Sequence, residues 1–104
     1  MQQHDDTETV KDLLALLCSR NSNLSWKMRS IFTDNNNINY MEVKIHEAHQ
    51  YNNGSLSQIC RLAYKPSSGL VSQMQYRGNF YNKPGTVIDT LLDIINAESR
   101  VLVN

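Results

Sequence analysis

What this chain has little of narrows it first. Its ten basic and ten acidic residues cancel, so it lacks the basic surplus with which a duplex-binding domain neutralises phosphates. Neutrality still leaves room for a local patch. Cysteine is scarce, with Cys18 and Cys60 alone. A disulfide-built secreted domain is shorter and denser in cysteine, so two buried thiols are expected here. No Cys-x-x-Cys or other zinc spacing occurs, and no apolar run approaches the ~20 residues of a membrane-spanning helix. The polar, acidic opening "MQQHDDTETV" is not a signal-peptide pattern, which makes an intracellular, cytoplasmic protein the expectation. Hydrophobic residues form 40% of the 104, slightly below the usual apolar share, which suits one domain with a thin, two-layer core.

Catalytic groupings are equally sparse. "KIHEAHQ" places His46 and His49 around Glu47. A zinc-peptidase pair needs histidines four apart on a helix, and these are three apart at the end of a strand pattern, with no third ligand in view. Solvated histidines are the expectation. "SSG" is a turn rather than a nucleophile elbow, and "KPGT" has one glycine where a phosphate loop has two. No catalytic residue, metal or cofactor is expected.

What the chain does contain is pattern. Val10, Leu13, Leu14 and Leu17 recur at helical spacing, with Asp5 or Asp6 able to accept hydrogen bonds from free amides at the start. The period then changes to two. In "LSWKMRSIF", Leu24, Trp26, Met28 and Phe32 share a face, with Lys27 and Arg29 opposite. "INYMEVKIHE" turns Met41, Val43 and Ile45 inward and Glu42, Lys44 and His46 outward. Asn53-Gly54 is a hairpin signal, because both residues tolerate positive φ. "LSQICRLAY" follows with Leu56, Cys60, Leu62 and Tyr64 in phase, and "LVSQMQYR" with Leu70, Met74 and Tyr76. "GNFYNKPGT" breaks the strand pattern, with Asn82 or Lys83 before the last helix and Pro84 in its first turn. "VIDTLLDII" is that helix, striped by Val87, Ile88, Leu91, Leu92 and Ile95. These elements predict an α+β fold: a single four-stranded antiparallel sheet, wet on one face, with N- and C-terminal helices packed on the other. Residues 1–5 are expected to be a flexible start, 6–99 the domain and 100–104 a tail.

The succession "TVKDLLALLCSRNSNLSWKM", "NYMEVKIHEA", "LSQICRLAYK", "GLVSQMQYRGNFYN" and "VIDTLLDII" resembles the C-terminal kinase-associated domains of serine/threonine kinases, over about residues 8 to 98. That resemblance implies a helix, a four- or five-stranded sheet and a final helix. It also implies a module without chemistry of its own, which holds a kinase inactive, binds a partner subunit, or docks on anionic phospholipid. The family's last strand often carries several basic residues. Here Arg77 and then Lys83 stand with glutamines at 73 and 75, a departure that counts against lipid docking.

A regulatory or protein-interaction module is therefore the expected function, with a kinase domain or regulatory subunit as partner. The candidate contact residues are Lys27, Arg29 and Lys44 on the wet sheet face, and Arg77, Phe80, Tyr81 and Lys83 around the last loop. Two alternatives stand beside it. One is a small stand-alone factor, such as a phage- or plasmid-type inhibitor of a host protein. The other, ranked lower, is a double-stranded-RNA-binding-like domain, which wants a lysine cluster opening its last helix where this chain has only Lys83.

Overall fold

The computed structural model describes residues 6–31, 35, 39–49 and 53–101, the side chains of residues 100 and 101 excepted. The expectations for residues 1–5, for Phe32 and for residues 102–104 lie outside the described residues. Two helices bracket an antiparallel meander: α1 (Thr7–Arg20), β1 (Leu24–Ile31), β2 (Tyr40–Ala48), β3 (Leu56–Tyr64), β4 (Leu70–Tyr76), β5 (Asn79–Thr86) and α2 (Val87–Val101). The five strands lie side by side in chain order.

Both helices owe their place to one apolar stripe each. Val10, Leu14 and Leu17 of α1 and Val87, Leu91, Ile94 and Ile95 of α2 join a single buried cluster with the sheet residues Val43, Ile45, Cys60, Leu62, Tyr64, Val71 and Met74. Each such aliphatic contributes roughly 1.5–3 kcal/mol before chain entropy is counted. Leu92, expected in the stripe, is exposed, and Ile94 takes the inward position. Asp6 is the N-cap of α1, but its side chain makes no capping hydrogen bond; its carbonyl accepts the Val10 N–H at 2.8 Å. The helix ends on Asn21, whose backbone N–H and side-chain amide both donate to the Leu17 carbonyl.

The sheet has five strands rather than the expected four. Arg77 and Gly78, with φ of +45 and +84, form the two-residue turn that folds Asn79–Thr86 back on β4. Paired positive φ values match the twist of the flanking strands, which is why such turns make tight hairpins. β5 escapes a period-two reading because it is an edge strand with little to bury. It also holds an extra residue: Val71 to Gln73 spans two positions on β4, while their partners Gly85 and Asn82 are three apart. The bulge falls at Lys83 and Pro84, so Pro84 is strand, not first helical turn. Thr86 caps α2 instead, its Oγ1 accepting the Asp89 N–H.

Two more bulges decide which leucines reach the core. Ile45 and His46 are adjacent on β2, yet their partners Cys60 and Gln58 skip Ile59. A one-residue slip exchanges the faces of everything beyond it. Leu56 is therefore turned out of the core phase of Cys60 and Leu62, and is 56% exposed. Likewise Ala63 and Tyr64 pair with Gln73 and Val71, skipping Ser72. Val71 turns inward and Leu70 outward, contrary to the alternation expected from Met74 and Tyr76.

Candidate functional site

With both helices sharing the core on one side, no element among the described residues covers the other side of the sheet, and strand register sets its rows. Lys27 stands opposite Lys44, Lys44 opposite Arg61, Arg61 opposite Gln75, and Gln75 opposite Phe80. Directly opposed residues share a face, so these five form one row across the whole sheet. The next row sets Arg29 opposite Glu42. In these two rows four cations stand against one carboxylate, a surplus of three positive charges, although the whole chain is neutral. Farther along, Lys65 Nζ lies 5.9 Å from the centre of the Tyr40 ring, within cation–π range.

Glu42 organises the cations. Arg29 Nε donates to Oε1 and Arg61 Nε to Oε2, both at 2.8 Å, while Lys44 Nζ lies 3.8 Å from Oε1. The two arginine chains cover the carboxylate, which is 2% exposed, yet they remain 68% and 57% exposed themselves. Burial by itself would raise the Glu42 carboxyl; the hydrogen bonds from Arg29 and Arg61, with the charge of Lys44, outweigh it and hold the group below the usual carboxylate range. Two guanidinium groups are thereby fixed over three strands, and the ordering cost of presenting them to a ligand falls.

Apolar groups flank the cations. Phe80 is 65% exposed at the end of the basic row, and Leu56 and Leu70, put out by the two bulges, stand on the same face. These are the three most exposed large hydrophobics among the described residues. A shallow depression of about 210 Å³ lies between Phe80, Arg61 and Ile31, lined also by Ala63, Gln73 and Gln75.

The seven residues picked out from sequence thus separate into groups. Lys27, Arg29, Lys44 and Phe80 come together on the open face. Tyr81 pairs with Met74 and so belongs to the opposite side. Lys83, with φ of +49, sits in the β5 bulge near Lys65, Leu70 and Gly85. Arg77 is committed elsewhere: its Nε and Nη2 donate to Glu98 at 2.9 and 2.7 Å, and Nη2 also lies 3.4 Å from Glu47. Glu98 is buried on α2 and takes a further hydrogen bond from the Tyr76 hydroxyl. The Arg77 bonds hold its carboxyl below the ordinary range, against the effect of burial and with help from Tyr76. This cluster ties the end of α2 to the β4–β5 turn. Arg61 was within reach of sequence reasoning, since it alternates with the inward Cys60 and Leu62; Leu56 and Leu70 were not, because nothing in the alternation marks a bulge.

The histidines of "KIHEAHQ" do not form a cluster of ligands. His49 Nε2 hydrogen-bonds Ser57 Oγ, and the buried Nδ1 of His46 has no partner among the described residues. No three His, Cys, Asp or Glu side chains among the described residues gather as a metal site requires. No described helix is long and apolar enough to cross a membrane. No family model, curated protein or solved structure matches the chain.

Proposed function

We propose that this protein is a non-enzymatic regulatory module that binds a protein partner through the open face of its sheet. The observation that carries the reading is the single row Lys27–Lys44–Arg61–Gln75–Phe80, in which three cations lead to an exposed aromatic ring on a face that no described helix covers. Phe80 supplies an apolar anchor and the cations supply orientation, while Arg29 and Arg61 are held ready by Glu42. The likeness to kinase-associated domains fits this role. A helix, a five-stranded sheet and a closing helix fall within that family's pattern, and a kinase domain or a regulatory subunit is the partner it implies. A stand-alone inhibitor of a host protein would use the same face in the same way.

A polyanion is the second reading, because the surplus of charge and the exposed ring on this face also suit a nucleic-acid backbone and its bases. The test compares three ligand classes at low and at physiological salt: the isolated partner protein, vesicles rich in phosphatidylserine, and duplex or single-stranded RNA. Partner binding that is lost in a Lys44→Glu/Phe80→Ala variant and retained in Asp89→Lys supports the proposal. Tight RNA binding with a steep salt dependence, in the absence of any protein partner that depends on this face, would contradict it.

A further inference from the structure

The two edges of the sheet are not alike. β5 is interrupted: Lys83 and Gly85 adopt φ of +49 and +125, Pro84 stands between them, and the bulge breaks the ladder there. Such features are how edge strands avoid pairing with another chain. β1 has none of them. "LSWKMRSI" contains neither proline nor glycine and pairs with β2 in unbroken register from Leu24 to Ile31.

Which backbone groups of β1 are free follows from one hydrogen bond. Ala48 N–H donates to the Asn23 carbonyl at 2.9 Å, so Asn23 turns its polar groups toward β2. Backbone direction alternates along an antiparallel strand. Ser25, Lys27 and Arg29 then also point at β2, whereas Trp26, Met28 and Ser30 present N–H and C=O outward. Among the described residues no strand lies beyond them.

The side chains along this edge are sorted by face. Lys27 and Arg29 stand on the open face, both exposed, while Trp26 and Met28 are half-buried on the helix side against the core. A second copy of β1 is a poor occupant. Antiparallel pairing centred on Met28 sets Lys27 opposite Arg29 of the other copy, and pairing centred on Lys27 sets it against itself; like charges directly opposed are destabilising. The same cations favour carboxylates.

We infer that β1 is a docking edge for an extended acidic segment of a partner protein, which adds a sixth strand with its carboxylates over Lys27 and Arg29 and its apolar residues over Trp26 and Met28. Backbone pairing with Trp26, Met28 and Ser30 holds the strand, and the alternation of acid and apolar residues sets its register. The inference rests on the protein-partner reading above and names the partner's chemistry and its mode of docking.

The probe is a short blocked peptide alternating valine and glutamate, compared with one of equal composition whose glutamates form a single block. Binding is read by Trp26 fluorescence, and the site by amide hydrogen exchange. The expected result is saturable binding of the alternating peptide, protection of the Trp26, Met28 and Ser30 amides, and at least tenfold weaker binding of the blocked-order peptide. Lys27→Glu should weaken binding at least tenfold. Ser30→Pro, which removes one outward N–H and none that faces β2, should do the same with the amide spectrum otherwise retained. If Ser30→Pro does not fold, the Lys27→Glu loss and the protection pattern decide alone. Absence of binding overturns the inference. So does binding confined to Lys44, Arg61 and Phe80 with the β1 amides unprotected, an outcome that leaves the open-face reading standing. Protection of the same three amides by self-association, without peptide, assigns the edge to a second copy and equally overturns it.

Discussion

Replacing Arg77 tests how the last helix is fastened. The side chain does two things at once. Its guanidinium gives two charge-assisted hydrogen bonds to the buried Glu98, and its backbone holds φ of +45 in the β4–β5 turn. Removing one partner of a buried ion pair costs ~3–5 kcal/mol where water is fully excluded. The Arg77 side chain is 35% exposed, so screening and the surviving Tyr76 hydrogen bond reduce the expected cost of Arg77→Ala to ~2–4 kcal/mol. Arg77→Gly loses the same bonds but removes the penalty on a Cβ-bearing residue in the left-handed region, and should be less damaging by ~1–2 kcal/mol. In a domain of this size that places the alanine variant's Tm on the order of 10–25 °C below wild type. The assay is urea and thermal unfolding of wild type, Arg77→Ala and Arg77→Gly at neutral and acid pH. The Glu98 carboxyl is held below its unfolded value, so its contribution is present above the unfolded carboxyl pKa of ~4.3 and is lost as pH falls through the lower folded value. The gap between wild type and Arg77→Ala should therefore narrow in acid. A loss under ~0.5 kcal/mol for Arg77→Ala, or a gap that widens as pH falls, would refute the assignment of Arg77 as the tie between turn and helix.

Glu42→Gln keeps the shape of the central carboxylate but leaves four cations on one face without a counter-charge; a loss of ~1–2 kcal/mol, smaller at high salt, is expected from urea unfolding. Wild-type stability from Glu42 should also fade in acid, since its folded carboxyl titrates below the unfolded one. Leu56→Ser and Leu70→Ser should each change stability by less than ~0.5 kcal/mol, whereas Leu62→Ala should cost ~2–5 kcal/mol; equal losses at Leu56 and Leu62 would remove the β3 bulge from the account. The Cys60 thiol is buried and pushed up to about 12 by burial, with the Glu98 charge adding to it. A thiol reagent at mildly alkaline pH should leave Cys60 untouched in the folded protein and label it on unfolding. Cys18, half-buried and also raised by burial, should react slowly in the native state.

Periodicity made both helices and four strands legible, because each of those elements has one face to bury and the alternation records it. Lys27, Arg29 and Lys44 could be placed on the wet face for the same reason. What the alternation could not show is where it slips. The extra residues at Ile59, at Ser72 and in the Lys83–Pro84 stretch leave no mark in composition, yet they turn out Leu56 and Leu70 and bend β5. β5 itself was hidden for a related reason: an exposed edge strand has no buried face to impose period two, and Arg77-Gly78 is not the asparagine–glycine pair that announces such turns. Phe80 therefore read as a loop residue, when register places it in line with Lys27, Lys44 and Arg61. Of the four residues around the last loop, only Phe80 joins the wet-face cations; Arg77, Tyr81 and Lys83 do not.

A protein that acts through the sheet face its helices leave bare should show it most directly in the footprint of a bound partner, read residue by residue as protection from amide exchange and side-chain labelling. Protection concentrated on Lys27, Lys44, Arg61 and Phe80 is the predicted result. Protection confined to the outer surfaces of the two helices, around Leu16 and Leu92, with the sheet face still open to solvent, would contradict it.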